Sequence, residues 1–77
     1  MKLKSAQELK DMIDGLTMDI EFSYKAIDEL AICPYTHSEI ECIGEIGSQM
    51  YSSSDDVLDN FIIDGKPLRE IATEIEL

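Results

Sequence analysis

Between Ser5 and Ile32 apolar residues recur every three or four positions, and no proline interrupts them. Leu9, Met12, Ile13, Leu16, Ile20, Tyr24, Ile27, Leu30 and Ala31 keep the helical period. Ser5 and Glu8 are spaced as a capping box. The serine hydroxyl can accept from the Glu8 amide while the carboxylate turns back to the Ser5 amide. Pro34 lacks an amide hydrogen and biases Cys33 away from helical geometry, so it ends the pattern. The spacing predicts one long helix over Ser5–Ile32, roughly 42 Å at about 1.5 Å per residue. Gly15 is its weak point, costing about 1 kcal/mol relative to alanine.

Shorter helices are predicted to follow. Thr36 with Glu39, and Ser38 with Glu41, repeat the capping spacing, and Ile40, Ile43, Ile46, Gly47 and Met50 continue at helical steps. A second helix is predicted over Ser38–Tyr51, with Gly44 and Gly47 leaving one face bare. Ser54-Asp55-Asp56 opens a third, its carboxylates at the positive end of the helix dipole and Val57, Leu58, Phe61 and Ile62 turned inward. Gly65 supplies a left-handed stop. Pro67 suits the first turn of a last helix with Leu68, Ile71, Ala72 and Ile75 inward. A competing reading makes Asp64-Gly65 the two-residue turn of a hairpin between Ile62-Ile63 and Pro67-Leu68. No other segment is read as alternating with period two, and a lone hairpin is marginal. The preferred fold class is therefore all-α: one small helical domain over 1–77, with a long N-terminal helix and two or three short ones.

A helix that long carries a second apolar line, Met18, Phe22, Ala26 and Cys33, beside the first. The rest of the chain is too short to cover both. An exposed line of this kind is an aggregation liability unless paired. The expected solution is a helix-mediated homodimer in which Met18, Phe22 and Ala26 pack against a symmetry mate.

Motifs that carry chemistry are weak. Cys33, His37 and Cys42, with Glu39 or Glu41, bring zinc-type ligands close in sequence, but their spacing matches no common zinc pattern. Thiols packed as small apolar residues explain the cysteines better. A Cys–His nucleophile would need an electropositive setting to lower the thiol pKa, and this chain is the opposite. Asp55, Asp56 and Asp59 lack the central glycine and terminal glutamate of a calcium loop. Gly44-Glu45-Ile46-Gly47 is followed by no lysine and makes no phosphate loop. The sequence implies no metal, no cofactor and no catalytic site.

Charge is the feature above background. Seventeen Asp and Glu against six Lys and Arg give a formal net charge of −11, beyond the roughly 2–8 usual for a small domain. With 44% hydrophobic residues the chain is not a disordered acidic tail. The sign argues against direct contact with nucleic acid or an anionic membrane surface, each of which needs a basic patch. It favours a basic protein surface. Asp11, Asp14, Glu21 and Asp28 line one side of the predicted long helix, and Asp55, Asp56 and Asp59 gather at the start of the third. Carboxylates one turn apart on a helix would form an array able to enter a groove built for phosphates.

The profile resembles that of small acidic phage or mobile-element proteins that block host nucleic-acid-binding machinery, a likeness carried by size and charge. The expected function is a non-enzymatic binding protein. It would engage and inhibit or regulate a basic, nucleic-acid-binding host protein by imitating DNA. The alternative is an assembly adaptor that oligomerises and docks through the apolar face of the long helix. No apolar stretch of signal-peptide length follows Lys2 and Lys4, and two cysteines do not make a secreted disulfide framework. The expected compartment is the cytoplasm.

Overall fold

In the segment expected to be helical, buried side chains alternate with an exposed Glu21 and a half-buried Ser23 over Ile20–Tyr24, the signature of a strand with one face covered. The computed structural model describes residues 1–16 and 18–77; Thr17, inside the expected long helix, lies outside them. The chain runs α1 (Ala6–Asp14), β1 (Ile20–Tyr24), β2 (Ile27–Thr36), β3 (Glu39–Gly44), β4 (Gly47–Tyr51), α2 (Ser54–Asn60), β5 (Ile62–Ile63), β6 (Lys66–Pro67) and α3 (Leu68–Ile71). Strands β1 to β4 form an antiparallel sheet in sequence order, and β5 pairs with β6. The all-α expectation is therefore wrong. So is the helix-mediated homodimer built on it, because a rod of roughly 42 Å exceeds the longest extent of the molecule, 29 Å.

The beginning of the expected helix is correct and its length is not. Ser5 Oγ accepts from the Glu8 amide at 3.2 Å, while the Glu8 carboxylate accepts from the Lys4 amide at 2.8 Å. Leu9 and Ile13 are buried one turn apart. Gly15 then closes α1, donating to the Asp11 carbonyl at 3.0 Å. Leu16 follows with a left-handed φ of 54°. Beyond it, Ile20, Phe22 and Tyr24 point inward from β1, Leu30 and Ile32 from β2, and Ile40 and Cys42 from β3. Lys25-Ala26, His37-Ser38 and Glu45-Ile46 are two-residue connections, flanked by the pairs Tyr24–Ile27, Thr36–Glu39 and Gly44–Gly47. The second expected helix, Ser38–Tyr51, is thus the β3–β4 hairpin.

Register assigns the faces. Ile20, Ile32, Cys42 and Gln49 stand side by side on the inner face. That face builds one core with Leu9 and Ile13 of α1, Val57 and Leu58 of α2, and Leu68 and Ile71 of α3. All three helices therefore cover the same side of the sheet. The other side carries Glu21, Ala31, Ile43 and Ser48 in one row and Cys33, Glu41 and Met50 in the next.

The second half follows its local signals more closely. Ser53 caps α2, accepting from the Asp56 amide at 3.0 Å, and the Asp56 carboxylate accepts from the Ser52 amide at 3.0 Å. Asp64 (φ 55°) and Gly65 (φ 76°) are both left-handed, the geometry a tight hairpin turn requires. The hairpin reading of this segment is the one realised. Leu68, Ile71, Ala72 and Ile75 are buried as expected, with Pro67 leading into α3. No helix among the described residues is long and apolar enough to cross a membrane.

Candidate functional site

Of the acidic residues singled out from the sequence, Asp14, Asp55 and Asp59 are drawn together around two cations, while Glu21 and Asp28 stand apart on strands. Lys10 Nζ lies 3.1 Å from Asp14 Oδ2 and 3.8 Å from Asp55 Oδ2. Arg69 bridges Asp55 at 3.2 Å and Asp59 at 2.7 Å. Burial pulls the Asp14 carboxyl up, but hydrogen bonds from Ser54 and Lys10 outweigh it, and the net shift is downward. Asp56 belongs to the α2 cap, where bonds from Ser52 and Asn60 hold its carboxyl below the ordinary range. Asp11 accepts from the Gln7 side-chain amide at 2.9 Å. Glu21 and Asp28 are exposed on β1 and at the start of β2. The helical row of carboxylates expected to fill a phosphate groove is not formed, since Glu21 and Asp28 lie on strands.

The expected docking line also dissolves. Met18 is exposed ahead of β1, and Ala26 is exposed in the β1–β2 turn. Phe22 is only 5% exposed and belongs to the core, so it cannot meet a partner. The line existed only at helical spacing, and a strand puts these three positions in different places.

Cys33 and Cys42 are free thiols on opposite faces of the sheet, because Cys33 pairs with Glu41 and Cys42 with Ile32. They cannot share a metal or a disulfide. Burial and the nearby Asp19 and Glu41 push the Cys33 thiol up, and burial above all pushes Cys42 to about 12. Both shifts oppose a nucleophilic thiolate. His37 donates from Nε2 to the Asp14 carbonyl at 2.8 Å, tying the β2–β3 turn to the end of α1. Among the described residues no three His, Cys, Asp or Glu side chains converge on a metal position.

Two arrangements went unread in the sequence. The first is the open face of the sheet. Between residues 18 and 51 seven carboxylates meet a single cation, Lys25, which lies 5.3 Å over the Tyr24 ring. Among the described residues no ion pair falls within this stretch. Glu21 and Glu41 stand on the outer face beside Ala31 and Cys33. The Tyr35 hydroxyl donates to Glu41 at 2.6 Å, which pushes its pKa up to about 12. Ile43 and Met50 complete the face, 38% and 57% exposed. Period-two alternation of Glu21, Ser23 and of Ala31, Cys33 was the signal that could have found it.

The second arrangement is a cleft of about 330 Å³ beneath the β3–β4 hairpin, lined by Gly44, Gly47, Gln49, Tyr51, Phe61 and Ile62 among others. Gly44 permits it, for a Cβ there would lie 2.8 Å from Phe61 Cε1. The Tyr51 and Phe61 rings are 6.0 Å apart by centroid. The Tyr51 hydroxyl donates to Gln49 Oε1 at 2.9 Å. Glu45, in the turn, also lines the cleft and accepts from the Asp64 amide at 3.1 Å. No sequence signal marks this cleft, since it joins segments that only the fold brings together.

These surfaces carry the functional reading by themselves: compared with known proteins, the chain matches no protein-family model, no curated protein and no solved structure.

Proposed function

We propose that this protein is a non-enzymatic binding module that presents the open face of its sheet to a Lys/Arg-rich surface of another protein. The observation that carries this reading is the segregation of charge. Lys10 and Arg69 spend themselves on Asp14, Asp55 and Asp59 on the helical side. The sheet keeps Glu21 and Glu41 without a cationic partner among the described residues, around a partly apolar centre of Ala31, Ile43 and Met50. An apolar centre with a charged rim is the usual composition of a protein interface, and unpaired rim charge mainly accelerates and steers encounter. A basic partner that otherwise contacts nucleic-acid phosphates has the matching chemistry. A reducing, cytoplasmic setting fits two buried free thiols that face opposite ways.

The test is an NMR titration of the isotope-labelled protein with a lysine-rich amphipathic helical peptide, at low and high salt. Shifts are expected at Glu21, Ala31, Glu41 and Met50, weakening as salt rises. Glu21→Lys with Glu41→Lys should abolish them, whereas Asp55→Asn with Asp59→Asn should not. Shifts centred on α1 and α2 instead, or binding indifferent to salt, would refute sheet-face recognition.

A further inference from the structure

We propose that the free edge of β4, with the cleft beneath it, binds an extended segment of another protein by strand addition. One bulky apolar side chain of that segment seats in the cleft, with a lysine or arginine beside it. This site goes beyond recognition through the sheet face and does not depend on it.

The two edges of the sheet are treated differently. At β1 the edge is closed at Ser23, which exchanges backbone hydrogen bonds with Glu76 at 2.9 and 2.8 Å. Among the described residues β4 has no backbone partner on its outer side. Edge strands are commonly protected by lysine, proline, a bulge or a covering segment. Gly47-Ser48-Gln49-Met50-Tyr51 has none of these, and no charged residue lies between Ile46 and Ser54. Unpaired amides and carbonyls on such a strand supply the affinity in strand addition, and an adjoining pocket supplies the selectivity.

The cleft is that pocket. Its volume of about 330 Å³ lies at the small end of the roughly 300–1,000 Å³ typical of ligand sites, fitting a side chain. Gln49 lies in the inner-face row with Ile32 and Cys42 yet is exposed, because the space beneath it is open. Ile46 and Ile62 line the same cleft at 90% and 48% exposure. Glu45 also lines it, its carboxylate fixed in place by the Asp64 backbone amide and without a cationic partner among the described residues. That carboxylate favours a cation on the entering chain.

A second copy fits less well. Pairing β4 with β4 would offer the cleft Gly47, Gln49 and Tyr51, the inner-facing set. Glycine brings no side chain, glutamine is polar, and Tyr51 is already packed against Phe61 in its own core. Two copies would also bring together net charges of −11 each.

The experiment titrates the labelled full chain with a panel of synthetic extended peptides. The centre of each is Phe, Leu, Met or Ala next to a lysine. The apolar members should shift the Ser48 and Met50 amides and slow their hydrogen exchange, leaving Glu21 and Ala31 unmoved. Replacing the central Phe by Ala should weaken binding roughly 10-fold or more, as expected for losing one buried large side chain. Methylating the peptide backbone nitrogens should abolish it. Glu45→Lys, an exposed turn substitution, should weaken every member, while thermal unfolding confirms that the variant folds. Equal binding by the Phe and Ala peptides, or no response at β4 to any member, would overturn the proposal. So would a peptide-free dimer with Ser48 and Met50 already protected, which would assign the edge to a second copy.

Discussion

Gly44→Ala is the sharpest test of how the hairpin meets the helical layer. The added Cβ would stand 2.8 Å from Phe61 Cε1 and 3.3 Å from Cζ, inside any ordinary carbon contact. Phe61 is 5% exposed and set against the Tyr51 ring, so it can withdraw only toward the cleft it lines, at the expense of that contact. Overpacking of this kind costs about 1–3 kcal/mol. Replacing glycine in a strand returns about 0.5–1 kcal/mol by lowering the entropy of the unfolded chain. The net expectation is a loss of about 1–2 kcal/mol. Urea unfolding followed by circular dichroism should show it as a lower midpoint with an unchanged slope. Phe61→Leu removes the ring edge that the new methyl strikes, so the double variant should lose less than the two single losses combined, with a coupling of about 1 kcal/mol. A Gly44→Ala protein as stable as the parent, or an additive double variant, would show that Phe61 does not press on the hairpin, and the description of the cleft would fall with it.

Three further outcomes follow from the same geometry. The Tyr24 hydroxyl is buried without a hydrogen-bond partner among the described residues; Tyr24→Phe should leave stability unchanged or raise it by about 1 kcal/mol, and a clear loss in a thermal melt would reveal a partner for the hydroxyl. The Asp56 carboxyl is held below its ordinary 3.8, first by the Ser52 backbone bond; its stabilisation is complete above that value and disappears as pH falls through the lowered one, so Asp56→Asn should make the acid limb of the stability profile shallower. Burial raises both thiols, Cys42 to about 12; a disulfide reagent at neutral pH should therefore modify neither quickly until denaturant is added, and rapid labelling of native Cys42 would contradict its place on the covered face.

The charge pattern bears on how a partner would be met. Because the cations lie outside residues 26–65, the sheet half is left more acidic than the whole-chain balance suggests. In the proposed mode a partner approaching the sheet would be steered by Glu21 and Glu41, while one approaching the helices would meet Lys10 and Arg69 amid their carboxylates. Association and anchoring can thus use different parts of one small surface.

Local signals in the sequence were sufficient for the two helix starts, at Ser5 with Glu8 and at Ser54-Asp55-Asp56, although the residue that caps the second is Ser53. They were also sufficient for the identity of much of the core and for the left-handed Asp64-Gly65 turn, although the helical alternative was preferred there. Composition alone determined the sign of the field around the molecule. Helix or strand over residues 20–51 was settled only by tertiary pairing. Ile20 and Tyr24, four apart, share a face in either conformation, so short apolar runs satisfy both periods, and the cross-strand partners that decide between them are remote in sequence. The same holds for the proposed binding surfaces. Which carboxylates stay free depends on Lys10 reaching Asp55 and Arg69 reaching Asp59, and the cleft exists because Gly44 lets Phe61 come close. Contacts of that range appear only when the chain has folded, because no local energy distinguishes them beforehand.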